Sequence, residues 1–362
     1  MSPLNQLNLV LWMTWPRPAP AGGIRPLLYD RGYRVWGIGP RLSVDPSQST
    51  VARRAGVLLK ESVAPEVILR HNGALHCMTV ECKLSGFGPD PDPNASERSQ
   101  RGHQSRQATS LLVITGDRVA KHAGFDTPEA WDGSLLYLIG EGEEARLETT
   151  LRVLETRIAN AGLPSQRGSA VGLYQRDDGL YFVPASGLPQ LGIANGGGLR
   201  VMETEGEDAG DVLQLVPLLP YDTSVHSPTE TQKLATEERL RSAVASLIGR
   251  RIGRHPFTFT LEDVLRESVE VWDVWRDDEP KRKFKRVTRA YVKSVVAGLG
   301  ECVRGAELSL GVAFVEKEDE WQWESVGIRT ARAVRRALAS AAFQRGRIDL
   351  WKTWQGDLFD PQ

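Results

Sequence analysis

The sequence has few cysteines and no long apolar run. The 362 residues include three cysteines, Cys77, Cys82 and Cys302, and no two form a C-x-x-C pair, so we expect neither a disulfide framework nor a thiolate zinc site. No stretch approaches the roughly 20 apolar residues that cross a bilayer. The first residues do not show the charged segment and apolar run of a signal peptide. These absences predict a cytoplasmic protein that has no membrane partner.

The chain also lacks an excess of charge of either sign. Its formal net charge is -1, which argues against a uniformly basic nucleic-acid binder, so any such contact must come from local clusters of cations. The six histidines show no H-x-x-x-H spacing, so a histidine zinc site is not expected. With 41% hydrophobic residues, the chain can bury cores in two or three domains.

Two β-rich runs, residues 66–70 and 74–83, flank an Asn-Gly pair at Asn72 and Gly73. Asn-Gly between such runs is a strong signal for a two-residue hairpin turn. That turn would pair Glu66 with Thr79 across the hairpin. We therefore predict two antiparallel strands joined at Asn72.

Polar side chains collect on one face of this predicted hairpin. Because side chains alternate along a strand, Glu66, Glu81 and Lys83 share a face, with the two carboxylates at roughly 7–8 Å as diagonal neighbours. Two carboxylates beside a substrate phosphate are enough to hold Mg²⁺, which prefers oxygen ligands and keeps several waters. A nearby ammonium group stabilises the charge that develops on the phosphate. The pattern therefore favours phosphodiester hydrolysis.

The residues Pro65-Glu66 and Glu81-Cys82-Lys83 resemble the PD-(D/E)XK nuclease signature, with Glu where the first acid is usually Asp. The resemblance covers roughly residues 25–140. It implies that Glu66, Glu81 and the backbone carbonyl of Cys82 hold Mg²⁺, for which Mn²⁺ can substitute. It also implies that Lys83 contacts the attacking water or the scissile phosphate.

A glutamine after the following loop, Gln107, resembles a helix glutamine of some members of this family, and we include it among the catalytic candidates. Lys83 is expected to be catalytic and not a determinant of the fold, because it lies on a strand that we take to be half exposed. The alternative is a surface hairpin on which Glu and Lys simply alternate outward.

A second cluster of charge lies in residues 281–300, which are predicted to form an amphipathic helix. Phe284, Val287, Tyr291 and Val295 form its apolar stripe. The opposite stripe consists of Arg282, Arg286, Arg289 and Lys293, which we predict to contact DNA phosphates or base edges. The alternative is a solvated basic face paired with the acidic residues 273–280.

The order of elements around this helix resembles a winged helix-turn-helix. A shorter helix precedes it and a predicted hairpin at residues 311–327 follows it as a wing. A last basic helix is expected at residues 328–344.

Three regions are expected along the chain. Residues 1–142 would form an α/β nuclease-type domain, with a mixed central sheet flanked by helices. Residues 143–225 form a middle α/β region of uncertain role, and residues 226–362 form a mainly helical, winged-helix-like domain. The predicted function is that of a DNA endonuclease in restriction, mobile-element or phage defence, acting as a homodimer or within a complex. A catalytically degenerate DNA-binding or scaffolding subunit, and a nuclease for RNA or single strands, are the alternatives.

Overall fold

The chain folds into two compact units in a computed structural model. The first unit comprises Met1–Leu218 with Val274–Asp277, and the second comprises Leu219–Asp273 with Asp278–Gln362. The structure describes residues 1–16, 23–89, 100–125, 129–204, 206–215, 218–219, 230–252, 256–276, 278–305, 314–317, 319–323, 332, 334–336 and 338. No described helix has the length and apolar character that a membrane span requires.

The first unit contains a mixed sheet flanked by helices, as the sequence predicts. Its strands are β1 (Tyr33–Ile38), β2 (Leu42–Ser43), β3 (Ser62–Val63), β4 (Val67–His71), β5 (His76–Cys82), β6 (Asp132–Gly140), β7 (Arg167–Arg176), β8 (Gly179–Pro184) and β9 (Leu199–Glu203). Its helices are α1 (Pro3–Met13), α2 (Leu27–Asp30), α3 (Pro46–Arg54), α4 (Gln100–Val113), α5 (Gly116–His122), α6 (Glu144–Asn160) and α7 (Ala209–Leu215), with a 3₁₀ turn at Pro189–Leu191.

The large sheet has seven strands in the order β1-β4-β5-β6-β7-β8-β9. The pairs β5–β6 and β6–β7 are parallel, and the other pairs are antiparallel. The boundary that we expected at residue 142 falls between β6 and α6, inside the first unit. Strands β7 to β9 of the middle region therefore extend the same sheet.

Both faces of β5 are covered. One face belongs to a core that combines Ile68, Leu135 and Tyr137 of the strands with Leu111 of α4 and Leu147 of α6. Helix α1 packs against β5 as well, and its residues from Asn5 to Met13 are all buried. Every residue from Cys77 to Cys82 is buried, so the alternative of a half-exposed surface hairpin is wrong.

The predicted two-residue turn is also wrong. Strand β4 pairs with β5 in a register that sets Val67 opposite Val80, and residues 72–75 form a four-residue connection. The His71 ring closes this loop, because its Nδ1 accepts a hydrogen bond from the Gly73 N–H at 3.0 Å. A shift of two residues keeps every side chain on its predicted face. Extending the register by one pair sets Glu66 directly opposite Glu81 instead of diagonal to it.

Among its described residues, the second unit contains several helices and a small antiparallel sheet. Its helices are α8 (Glu230–Arg251), α9 (Leu261–Ser268) and α10 (Asp278–Gly305), and its strands are β10 (Phe257–Thr260), β11 (Phe314–Lys317) and β12 (Glu320–Trp323), in the order β10-β12-β11. The hairpin and the long helix are confirmed. The expected helix at 328–344 lies largely outside the described residues.

Helix α10 buries the stripe that the sequence predicts. Phe284, Val287, Tyr291 and Val295 are all buried. Helix α9 begins at a capping box, in which Thr260 and Asp263 exchange side-chain and backbone hydrogen bonds. The buried stripe explains why α10 could be found from the sequence.

Candidate active site

Glu81 is a carboxylate with no solvent exposure in the centre of the sheet. It lies near the end of β5, and its Oε2 is 2.9 Å from Nζ of Lys83. Nε2 of Gln107 on α4 donates to both carboxylate oxygens, at 3.3 and 3.2 Å. A buried charge is stable only when it is paired and hydrogen-bonded, and Glu81 has both kinds of partner. The sequence-predicted residues Glu81, Lys83 and Gln107 thus form one cluster.

The charges in this cluster shift the pKa values of Glu81 and Lys83. Burial raises the pKa of the Glu81 carboxyl above its usual value, and the charges of Lys83 and Lys60 and the hydrogen bond of Gln107 oppose that rise. Burial acts to lower the pKa of Lys83, but the Glu81 charge and hydrogen bond, together with the Glu66 charge, raise it above the usual value. The ammonium group therefore stays protonated beside the carboxylate.

Lys83 leaves the end of β5 at a fixed position. Its N–H donates to the carbonyl of Leu138 on β6 at 2.9 Å. Its own carbonyl accepts a hydrogen bond from Nε2 of Gln6 on α1 at 3.1 Å. The side chain is 21% exposed, so it is not the freely solvated lysine that a half-exposed strand would present. Gln6 is a residue of the site that sequence reasoning missed, because nothing in the sequence links α1 to β5.

Glu66 stands half-buried just before β4. The Gly39 N–H donates to its backbone carbonyl at 2.9 Å, which continues the pairing of β1 with β4. Its charge acts on Lys83 and on Cys82, as the charge of Glu81 does. The two predicted acids therefore act on the same ammonium group. Cys82 is buried, so its thiol is not offered to solvent.

The donors in this cluster fit a hard divalent cation. Glu66, Glu81 and the backbone carbonyl of Cys82 supply oxygen only, which is what Mg²⁺ prefers. Tyr137 is paired with Glu81 across β5 and β6, and its buried hydroxyl has no hydrogen-bond partner among the described residues. Thr79 Oγ1, two residues before Glu81, is in the same situation. Such buried groups normally have a partner, and both side chains lie on the same face of the sheet as Glu81.

No group of three or more His, Cys, Asp or Glu side chains within the described part of the chain is arranged to hold a metal. The cluster contributes two carboxylates, which is fewer than such a group. Mg²⁺ is commonly held by one or two carboxylates together with substrate phosphates and water. The donor set thus fits a cation that is completed by substrate.

Lys60 and His103 adjoin this cluster and were also missed from the sequence. Nζ of Lys60 is 3.0 Å from Nε2 of His103, which lies one turn before Gln107 on α4. No motif spacing marks Lys60, so only the fold could bring it to Glu81.

The predicted DNA-contacting stripe lies on α10 in the second unit. Arg282, Arg286 and Lys293 are exposed, and Arg289 is half-exposed. Arg289 forms a two-point ion pair with Asp319 of the β11–β12 turn, with Nη2 at 2.6 Å from Oδ2. The stripe therefore presents three exposed cations and a fourth that is held by the hairpin.

Comparisons with protein-family models, curated proteins and solved structures give no match to this chain. The resemblance to PD-(D/E)XK nucleases rests on Glu66 and on Glu81-Cys82-Lys83 in the hairpin of β4 and β5.

Proposed function

We propose that the protein is a metal-dependent DNA endonuclease of the PD-(D/E)XK type, with its active site at Glu66, Glu81 and Lys83. The observation that carries the proposal is the fully buried Glu81 carboxylate held between Lys83 and Gln107. Placing a carboxylate and an ammonium group in the interior of a sheet costs desolvation free energy. Perturbed ionisable clusters of this kind are concentrated at functional sites.

The residues divide the work of hydrolysis between them. Glu66, Glu81 and the Cys82 carbonyl would hold Mg²⁺, which supplies an activated water and neutralises charge on the phosphate. Gln107 orients the Glu81 carboxylate through its two hydrogen bonds. The Lys83 ammonium stabilises negative charge as it develops on the phosphate oxygens. Its fixed backbone limits the reorganisation needed during the reaction.

The second unit would bind the DNA. Its order of helix, strand, two helices and hairpin resembles a winged helix-turn-helix, with α10 in the place of the recognition helix. The exposed Arg282, Arg286 and Lys293 are suited to phosphate contacts. Two such sites acting together would cut both strands of a duplex in one binding event, so a homodimer or a larger complex is part of the proposal. Restriction, mobile-element or phage defence in the cytoplasm is the setting that such a nuclease fits.

The test is incubation of the purified protein with supercoiled plasmid, single-stranded DNA and RNA in Mg²⁺, Mn²⁺ or EDTA. We expect nicked or linear plasmid with either cation and none with EDTA. If RNA or single-stranded DNA is cut in preference to the plasmid, the proposed substrate is wrong but metal-dependent phosphodiester hydrolysis is retained. If no substrate is cut in any cation while duplex DNA is still bound, the protein is a DNA-binding or scaffolding subunit and the enzymatic proposal is wrong.

A further inference from the structure

Lys60 is fixed to α4 at both ends. It lies between α3 and β3, and its backbone N–H donates to Oγ of the fully buried Ser110 at 2.8 Å. Its ammonium group is 3.0 Å from Nε2 of His103. Ser110 and His103 are about 10 Å apart along the helix axis, at 1.5 Å per residue. The lysine side chain therefore runs along two turns of α4 and is not a freely moving surface chain.

The path of the Lys60 side chain along α4 brings a second positive charge near the carboxylate of Glu81. Gln107, which donates to Glu81, lies between His103 and Ser110 in the sequence of α4. His103 and Gln107 are four residues apart on one face of α4, so the Lys60 ammonium group at His103 lies about one helical turn from the residue that holds Glu81. Lys83 thus reaches the Glu81 carboxylate from the end of β5, and Lys60, from the segment between α3 and β3, brings a second ammonium group to α4 beside it.

The charges of the cluster show what the second ammonium group can do. Glu66 and Glu81 carry two negative charges, and Lys60 and Lys83 balance them. One divalent cation would leave two surplus positive charges. A nucleic-acid strand brings one negative charge with each phosphate, and cationic side chains at its backbone supply affinity that does not depend on sequence. Lys60 is half-exposed, so its ammonium can reach such a strand.

We propose that Lys60 is a second phosphate-binding residue of this site, that His103 positions its ammonium group, and that it contacts a backbone phosphate of the bound DNA strand next to the scissile one. This inference rests on the proposed nuclease function. It adds a contact along the substrate strand that Glu66, Glu81 and Lys83 do not provide.

The experiment measures binding of a short fluorescent DNA duplex by anisotropy, with Ca²⁺ replacing Mg²⁺, between about 50 and 200 mM salt. Lys60→Met removes the charge and keeps the stem, and Lys60→Arg keeps the charge. Lys121→Met, an exposed lysine on α5, is the matched control. Plasmid cleavage in Mg²⁺ and thermal melting are recorded for each protein.

We expect Lys60→Met to weaken binding and to reduce the slope of log K against log salt by about 0.9, the value for one lost phosphate contact. Lys60→Arg and Lys121→Met should keep the wild-type slope. An unchanged slope in Lys60→Met overturns the inference, as does a wild type that does not bind the duplex. If the wild type cuts plasmid but Lys60→Met keeps its slope, the inference fails and the nuclease proposal stands. If the slope falls but no protein cuts, the nuclease proposal fails and the phosphate contact stands.

The positioning role of His103 has its own readout. His103→Ala should lower the salt slope by less than Lys60→Met, because the freed ammonium group still reaches phosphate part of the time. The double variant should bind like Lys60→Met alone, because His103 acts only through Lys60. Additive losses in the double variant would show that His103 contacts DNA by itself and would overturn the positioning role.

Discussion

Lys83 and Glu81 form an ion pair at 2.9 Å in which the carboxylate has no solvent exposure. Removing one partner of a buried pair leaves an uncompensated charge in the interior. Replacing both partners with neutral groups leaves no buried charge, so that cost is avoided. Each partner is therefore needed for the stability of the fold as long as the other remains charged, in addition to its role in the proposed chemistry. The sequence-based expectation that Lys83 is not a determinant of the fold follows from a half-exposed strand, which the structure does not have.

Lys83→Met should lower the free energy of unfolding by about 2 to 3 kcal/mol. This is less than the loss expected for a fully buried pair, because the Lys83 side chain of the wild type is partly exposed to water. The Glu81→Gln/Lys83→Met double variant should recover most of this loss, since no buried charge remains. Urea unfolding of the wild type, the single variant and the double variant measures both effects. A single variant as stable as the wild type would contradict the view that Lys83 compensates a buried charge on Glu81.

Divalent cation binding should depend on both acids. Glu66→Ala and Glu81→Gln each remove one of two charged ligands, so each should abolish most of the heat in a calorimetric titration with Mn²⁺. The matched control is Glu61→Ala, which removes an exposed carboxylate five residues before Glu66. Equal heats in the wild type and in both site variants would show that the cation binds elsewhere.

The stability of the first unit should decrease in mild acid because of His76. Burial lowers the pKa of His76 below its usual 6.5, with a smaller effect from His71 against an opposing effect from Asp132. The neutral ring is hydrogen-bonded to Tyr33 Oη at 3.1 Å and to Ser134 Oγ at 3.2 Å. The unfolded chain takes up this proton more readily, so the stability that His76 contributes above pH 6.5 is lost as the pH falls through the folded value.

Urea unfolding in EDTA between about pH 7.5 and 5.5 measures the loss of stability attributed to His76. This pH range lies around the ordinary histidine pKa. His76→Gln should show a shallower loss of stability with acid than the wild type, because it removes the group that takes up the proton on unfolding. A His76→Gln protein with the wild-type pH slope would contradict the assignment.

The exposed cations of α10 should supply DNA affinity without chemistry. Arg282→Ala/Arg286→Ala should flatten the salt dependence of DNA binding by about 1.8, or 0.9 for each lost phosphate contact. Metal binding should be unchanged. Arg53→Ala/Arg54→Ala on α3 is the matched control with two exposed arginines. An equal slope in the α10 variant and the wild type would place the interface elsewhere.

The hairpin of β4 and β5 shows how far the sequence reaches. Alternation along the strands predicts that Glu66, Glu81 and Lys83 share one face, and a register shift of two residues leaves that prediction unchanged. The register, which would set Glu66 opposite Glu81 if it continued by one pair, could not be predicted, because it depends on the four-residue loop that the His71 ring closes. The turn propensity of Asn-Gly does not indicate the hydrogen bond between the His71 ring and Gly73.

Helix α1 and Lys60 show what the sequence leaves out. Helix α1 is buried from Asn5 to Met13, so it lacks the apolar and polar faces by which an amphipathic helix is found. Gln6 and Lys60 reach the site through contacts that span 77 residues to Lys83 and 50 residues to Ser110. Helix α10 was found because a single buried stripe and an opposite row of cations repeat along its length.

The most direct test of the central claim compares plasmid nicking by the wild type and by the Glu81→Gln/Lys83→Met double variant in Mg²⁺. The double variant is chosen because it keeps the fold while removing a metal ligand and the ammonium group. The account predicts that the wild type nicks the plasmid and that EDTA stops it. It predicts that the double variant is slower by about 10²-fold or more, because loss of the ammonium group alone costs about that much and a metal ligand is lost as well. A folded double variant that nicks at the wild-type rate would contradict it.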